Sequence, residues 1–128
     1  MNQVTHAILR VGAGLLFLEH GVQKILGWMG GFGPDGGTAP LMTRFGAAGI
    51  LELVGGTLLI VGLFTRPVAA VLTLEMLVAF YLGHLPRGGW PVQNQGELAL
   101  LYACIFAFFA THGGGAFSLD GRIGKRRW

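Results

Sequence analysis

"LLFLEHGVQK", Leu15 to Lys24, sets Glu19 and His20 side by side inside a run that is otherwise apolar. Upstream that run reaches back to about residue 4. Downstream it ends at "GWMGGFGPDGGTAP" (27–40), where the density of Gly and Pro forbids a helix and predicts a solvent-side loop. A window of 4–26 is close to the ~20 residues needed to cross ~30 Å of hydrocarbon. If it is a span, its acid and its imidazole need partners within the protein, and the fold must supply them.

The rest of the chain reads the same way. Its hydrophobic fraction is 52 % and its charged fraction 12 %, about half the charge of a soluble domain. Three more windows of roughly membrane length follow, at 44–64, 67–85 and 95–111. Only Phe64, Thr65 and Arg66 separate the second from the third, and Pro67 suits a first helical turn, so a tight hairpin is expected. The third connection, "LPRGGWPVQN" (85–94), carries Trp90, a residue suited to the headgroup interface. The expected fold class is all-α: an integral membrane four-helix bundle in one domain spanning 1–128, with a basic tail at 113–128.

Arg122, Lys125, Arg126 and Arg127 crowd that tail, whereas the first and third loops hold only Lys24, Arg44 and Arg87. The bias predicts a cytoplasmic C-terminus, and an even number of spans places the N-terminus on the same side, in the cell's inner membrane. An anionic leaflet accounts for the basic tail, so the net charge of +3 needs no nucleic-acid partner. The N-terminus lacks the basic leader, short apolar core and small-residue cleavage site of a removable signal peptide, and the first helix is expected to stay. A single cysteine, Cys104, excludes an intrachain disulfide, a CxxC pair and a Cys-rich metal site, and it reads as a packing residue.

Four of the six acidic residues, Glu19, Glu52, Glu75 and Glu97, fall one to each window. With the tail inside, the outer half of the bundle gathers Glu19, His20, Gln23, Lys24, Glu52, His84 and Glu97, while Glu75 lies nearer the midplane. Residues four apart share a helix face, so Glu19 with Gln23 and His20 with Lys24 form adjacent stripes. Glu52 is flanked at helical spacing by Ala48, Gly49, Gly55 and Gly56, the small residues of a helix contact, and is expected to face a neighbouring helix.

Several of these residues have a purely structural account. Asn94 with Glu97 makes an N-cap pattern. His84 at a span boundary can simply reach water. Glu19 and Lys24 can form interhelical ion pairs, and Glu75 reads equally as a proton-relay carboxyl or as an acid bonded to a backbone carbonyl. His6 and His112 fall near the inner ends and read as interface residues. Pairing His20 with His84 and His6 with His112 as haem ligands is disfavoured, because the span ends leave little protein to enclose a macrocycle. No metal site is expected.

The chain resembles the DoxX family of small four-span membrane proteins. The stretches that carry the resemblance are "LRVGAGLLFLEHGVQKILGW" (9–28), "GILELVGGTLLIVGLFTRP" (49–67), "GHLPRG" (83–88), "GELALLYA" (96–103) and "FSLD" (117–120). The resemblance implies a bundle linked to redox chemistry, since members include a subunit of thiosulfate:quinone oxidoreductase and a membrane partner in a mycobacterial complex coupling superoxide disposal to thiol balance. By match to the family motifs it carries over His20, Gly21, Lys24, Glu52, Gly55 and Gly56 as site residues. The sulfur-oxidising partner domain is missing here, so thiosulfate activity does not carry over.

The leading expectation is therefore a quinone-associated membrane subunit of an oxidoreductase system. His20 and Lys24 would donate hydrogen bonds, Glu19 or Glu52 would relay protons, and Gly21, Gln23, His84 and Glu97 would complete the binding site. With no cofactor motif in the sequence, electrons would come from a protein partner or from a bound redox group. Two alternatives stand beside it: a scaffold subunit of a larger membrane complex, and a small proton-coupled transporter working as a homo-oligomer.

Overall fold

The computed structural model describes residues 2–124. Lys125, Arg126 and Arg127, on which much of the orientation reading rests, lie outside the described residues; Arg122 is exposed. Six α-helices are formed: α1 (Gln3–Leu26), α2 (Arg44–Val61), α3 (Thr65–Ala79), α4 (Pro91–Asn94), α5 (Glu97–His112) and α6 (Leu119–Ile123). There is no β-strand among the described residues. Beyond Ala79 the third helix continues as a π-turn (Phe80–His84) and a 3-10 turn (Leu85–Arg87). Arg44–Val61 and the continuous Thr65–Arg87 are each long and apolar enough to cross a membrane. The α5 helix is apolar but shorter, and α1, at 24 residues, carries Arg10, Glu19 and Lys24 along its length.

Local chemistry explains the boundaries. Asn2 starts α1 by accepting the Thr5 N–H at 2.8 Å, and Gly27 ends it in the left-handed region at φ 73°. Thr43 caps α2 in the same way, accepting from Gly46. The second helix stops at Val61, short of the expected residue 64, because Gly62 takes a left-handed cap at φ 74°. The expected N-cap role of Asn94 is corrected. Gln95 turns left-handed at φ 61°, so the Asn94 Oδ1 accepts from Gly96, its Nδ2 donates to Gly88, and α5 starts at Glu97 with Gly96 as its cap.

Packing is uneven around the molecule. The first two helices run together along their length, as do α3 and α5. The α1–α2 seam is glycine-lined: a Cβ on Gly21 would fall 2.6 Å from the Leu53 nitrogen and 2.9 Å from the Gly49 carbonyl oxygen. Gly14 and Gly56 meet in the same fashion lower down, and small residues are what let two backbones approach in an apolar medium. By contrast α1 and α5 meet mainly through long side chains. Phe17 stands edge-on to Phe106 and Tyr102, with ring centres 4.9 and 5.2 Å away, contacts worth about 0.5–1.5 kcal/mol each beyond buried area.

The end of the chain folds back as a clamp. Asp120 accepts the backbone N–H groups of Phe64 and Thr65, both at 2.8 Å, and so caps the start of α3. Buried Arg10 donates to the carbonyls of Leu59, Ile60, Gly114 and Phe117, tying α1 to the end of α2 and to the segment before α6. The carbonyls left unpaired at a helix C-terminus are natural acceptors for a guanidinium. Nearby, His6 is buried against Phe108 and Phe109, and His112 stacks on Phe108 at 4.2 Å.

Asp120→Ala removes the carboxylate that accepts from the Phe64 and Thr65 amides. The expected loss is about 1–3 kcal/mol, visible as a lower thermal midpoint in detergent, while Asp120→Asn, which keeps one acceptor oxygen, loses less.

Candidate functional site

Lys24 occupies the last turn of α1, and its side chain leans toward the N-terminus of its own helix, as helical side chains do. In this antiparallel pair that direction leads away from the loop and toward Glu52 in the middle of α2. The Lys24 Nζ donates to both Glu52 oxygens at 2.8 Å, and the Glu52 side chain is only 3 % exposed. Gly21 makes this geometry available by letting α1 lie directly on the backbone of α2 beside Glu52.

Glu75 of α3 completes the cluster. Its carboxyl lies against that of Glu52 and within electrostatic reach of Lys24. Both its oxygens are sealed from solvent, and no donor among the described residues reaches either one.

Glu19, His20 and Gln23 turn the other way. With Leu16 of α1, Met29 of the loop, and Leu98 and Tyr102 of α5, they line a cleft of about 350 Å³. Below it Phe17 of α1 meets Tyr102 and Phe106 of α5. Glu19 is exposed and His20 half-buried, with its ring edge-on to Tyr102 at 6.1 Å. Gln23 Nε2 donates to the Met29 carbonyl at 3.2 Å, holding the loop over one end of the cleft. Tyr102 lines the cleft beside His20 and lies within electrostatic reach of both Glu19 and Glu52.

The residues singled out from the sequence thus divide into two groups joined by Tyr102. Lys24, Glu52 and Gly21 form the α1–α2 core, and Glu19, His20 and Gln23 form the cleft wall. His84 and Glu97 are engaged elsewhere. The His84 Nδ1 is 3.1 Å from the Asn94 carbonyl oxygen and its ring stacks on Phe80, while Glu97 is exposed in the first turn of α5. Sequence reasoning missed Tyr102, although a phenol within "GELALLYA" was a visible polar group in an apolar window. It left Glu75 apart because nothing in the local pattern of α3 says which neighbour that face meets. Among the described residues no group of three or more His, Cys, Asp or Glu is gathered to hold a metal ion.

Among the described residues two helices are long and apolar enough to cross a membrane, and the comparisons place the chain among membrane proteins. The chain belongs to the DoxX family, whose model matches residues 5–85. It is 39 % identical over 127 residues to an uncharacterized protein of Haemophilus influenzae, covering 94 % of this chain and 91 % of that one. An uncharacterized membrane protein of Mycobacterium tuberculosis is 32 % identical over 134 residues, covering 92 % and 80 %. A second uncharacterized Haemophilus influenzae protein is 38 % identical over 74 residues, or 58 % of this chain and 49 % of its own length. No solved structure matches the chain significantly.

Removing one partner of a buried pair leaves the other charge uncompensated. Lys24→Met is therefore expected to lower stability by about 3 kcal/mol, and the double change Lys24→Met with Glu52→Gln to recover most of it. Denaturant titration of the four proteins of this cycle in mixed micelles measures the coupling directly.

Proposed function

We propose that this chain is a four-span subunit of a membrane redox system, and that it binds a quinone-type headgroup in the cleft between α1 and α5. In this reading α1, α2, the continuous third helix and α5 cross the inner membrane as one bundle, with both termini cytoplasmic. The observation that carries the functional part is the cleft itself. Its volume is about 350 Å³, within the range of ligand sites at about 300–1,000 Å³, and its walls combine the apolar Leu16, Met29 and Leu98 with the polar Glu19, His20, Gln23 and Tyr102.

That lining suits a flat ring with a carbonyl oxygen at each end. Such a group, when bound, supplies two-electron, two-proton chemistry. The protein's part is to hold and orient it. An N–H of His20 from α1 and the hydroxyl of Tyr102 from α5 are neighbouring donors in the cleft lining. Leu16 and Leu98 keep water from the ring faces. Glu19, exposed at the cleft, exchanges protons with the outer solution, and the neighbouring His20 accepts and returns them. Lys24 and Glu52 fix α1 on α2 and with it the position of the His20 wall. A protein partner in the same membrane delivers the electrons.

The test is binding of decylubiquinone to the protein in lipid nanodiscs, followed by quenching of tryptophan fluorescence. His20→Ala and Tyr102→Phe should each weaken the affinity about tenfold, the effect of one lost hydrogen bond of about 1–1.5 kcal/mol, with the fold retained. Affinities unchanged in both variants would remove the cleft as the site.

A further inference from the structure

We infer that Glu52 and Glu75 share one proton, as a carboxylic acid hydrogen-bonded to a carboxylate beside Lys24, and that this proton exchanges with the cleft through Tyr102. The first half follows from counting donors. Among the described residues Lys24 Nζ is the side-chain donor bonded to Glu52, and it bonds both Glu52 oxygens. The two Glu75 oxygens are sealed from solvent and receive no hydrogen bond from the described residues. Their neighbour is the Glu52 carboxylate, which has lone pairs to accept with and nothing to donate.

Two ionised carboxylates in contact, with a single ammonium between them, would leave one net negative charge inside apolar helices. Like charges at contact in such a medium do not both persist. A proton on one of them removes that charge, gives Glu75 the hydrogen bond it lacks, and leaves Lys24 matched by one carboxylate. Among the described residues Lys24 from α1 faces the pair, and Tyr102 of α5 lies within electrostatic reach of Glu52.

The second half follows from the position of Tyr102. It lines the cleft together with Glu19 and His20, and it is electrostatically coupled to Glu52 on its other side. A hydroxyl can accept a proton from one neighbour while passing its own to the next. One proton leaving the carboxyl pair toward the cleft is matched by one returned from water at exposed Glu19, so the pair begins and ends with a single proton. The use of this store in turnover rests on the quinone reading proposed above. Its existence does not.

The experiment is infrared difference spectroscopy of the full chain in nanodiscs without any quinone. The wild-type minus Glu75→Gln spectrum should contain a protonated-carboxyl C=O band that shifts in D₂O. Glu75→Gln is a fair control, because its amide can donate to Glu52 and keep the site neutral, and circular dichroism confirms the fold. In Tyr102→Phe the band should remain and its deuterium exchange should slow by about 10²-fold, the lower end of what a positioned proton-transfer group contributes. A difference spectrum without that band overturns the shared proton, and an exchange rate unchanged in Tyr102→Phe overturns the route. Because no quinone is present, these outcomes are independent of decylubiquinone affinity, and either proposal can fail while the other stands.

Discussion

The contact between Lys24 and Glu52 is the constraint around which the rest is arranged. A carboxylate at the level of the bilayer core costs about 2.5–3.5 kcal/mol even on a lenient scale, so Glu52 has to be met from another helix. Lys24 can meet it only if α1 and α2 touch backbone to backbone, and the glycines at 14, 21, 49 and 56 are where they do. Because α1 is drawn so closely onto α2, it stands off from α5. The space that remains is closed by Phe17, Tyr102 and Phe106 in its lower part and open as the cleft above. One ion pair thereby sets both a seam and a gap.

The two faces of α1 then take on different tasks. Lys24 and Gly21 belong to a dry face that is fully partnered inside the chain. Glu19, His20 and Gln23 belong to a wetter face that borders on solvent and on the apolar side chains of α5. The adjacency of an acid and an imidazole in "LLFLEHGVQK" is tolerated because the helix places neither of them against a sealed wall. Tyr102 lines the cleft and lies within electrostatic reach of Glu52, which gives a single phenol more influence than its place in an apolar helix implies.

Much of this was legible beforehand. The four apolar windows correspond to the four long helical segments within a few residues, since hydrophobic length and Gly/Pro punctuation are local properties. The small residues around Glu52 announced a helix contact, and the place of Lys24 near the end of the first window made it an available partner. What local reading did not reach were Arg10, Asp120 and Glu75. Each depends on which distant segment arrives next to it: Arg10 bonds residues 104 and 107 positions away, and Asp120 bonds residues 55 and 56 positions away. An arginine inside the first apolar window was the available hint, as was the closing Ser-Leu-Asp, in which Ser118 caps α6 and frees Asp120 to point elsewhere.

The clamp at Arg10 also dictates an order of assembly during synthesis. Its guanidinium finds the Leu59 and Ile60 carbonyls as soon as the first hairpin forms, but Gly114 and Phe117 reach it only after α5 has been made. Until then a half-satisfied cation sits at the edge of the hairpin and keeps water there. The α1–α2 pair is thus left open beside Arg10 until the segment from Gly114 to Phe117 closes over it.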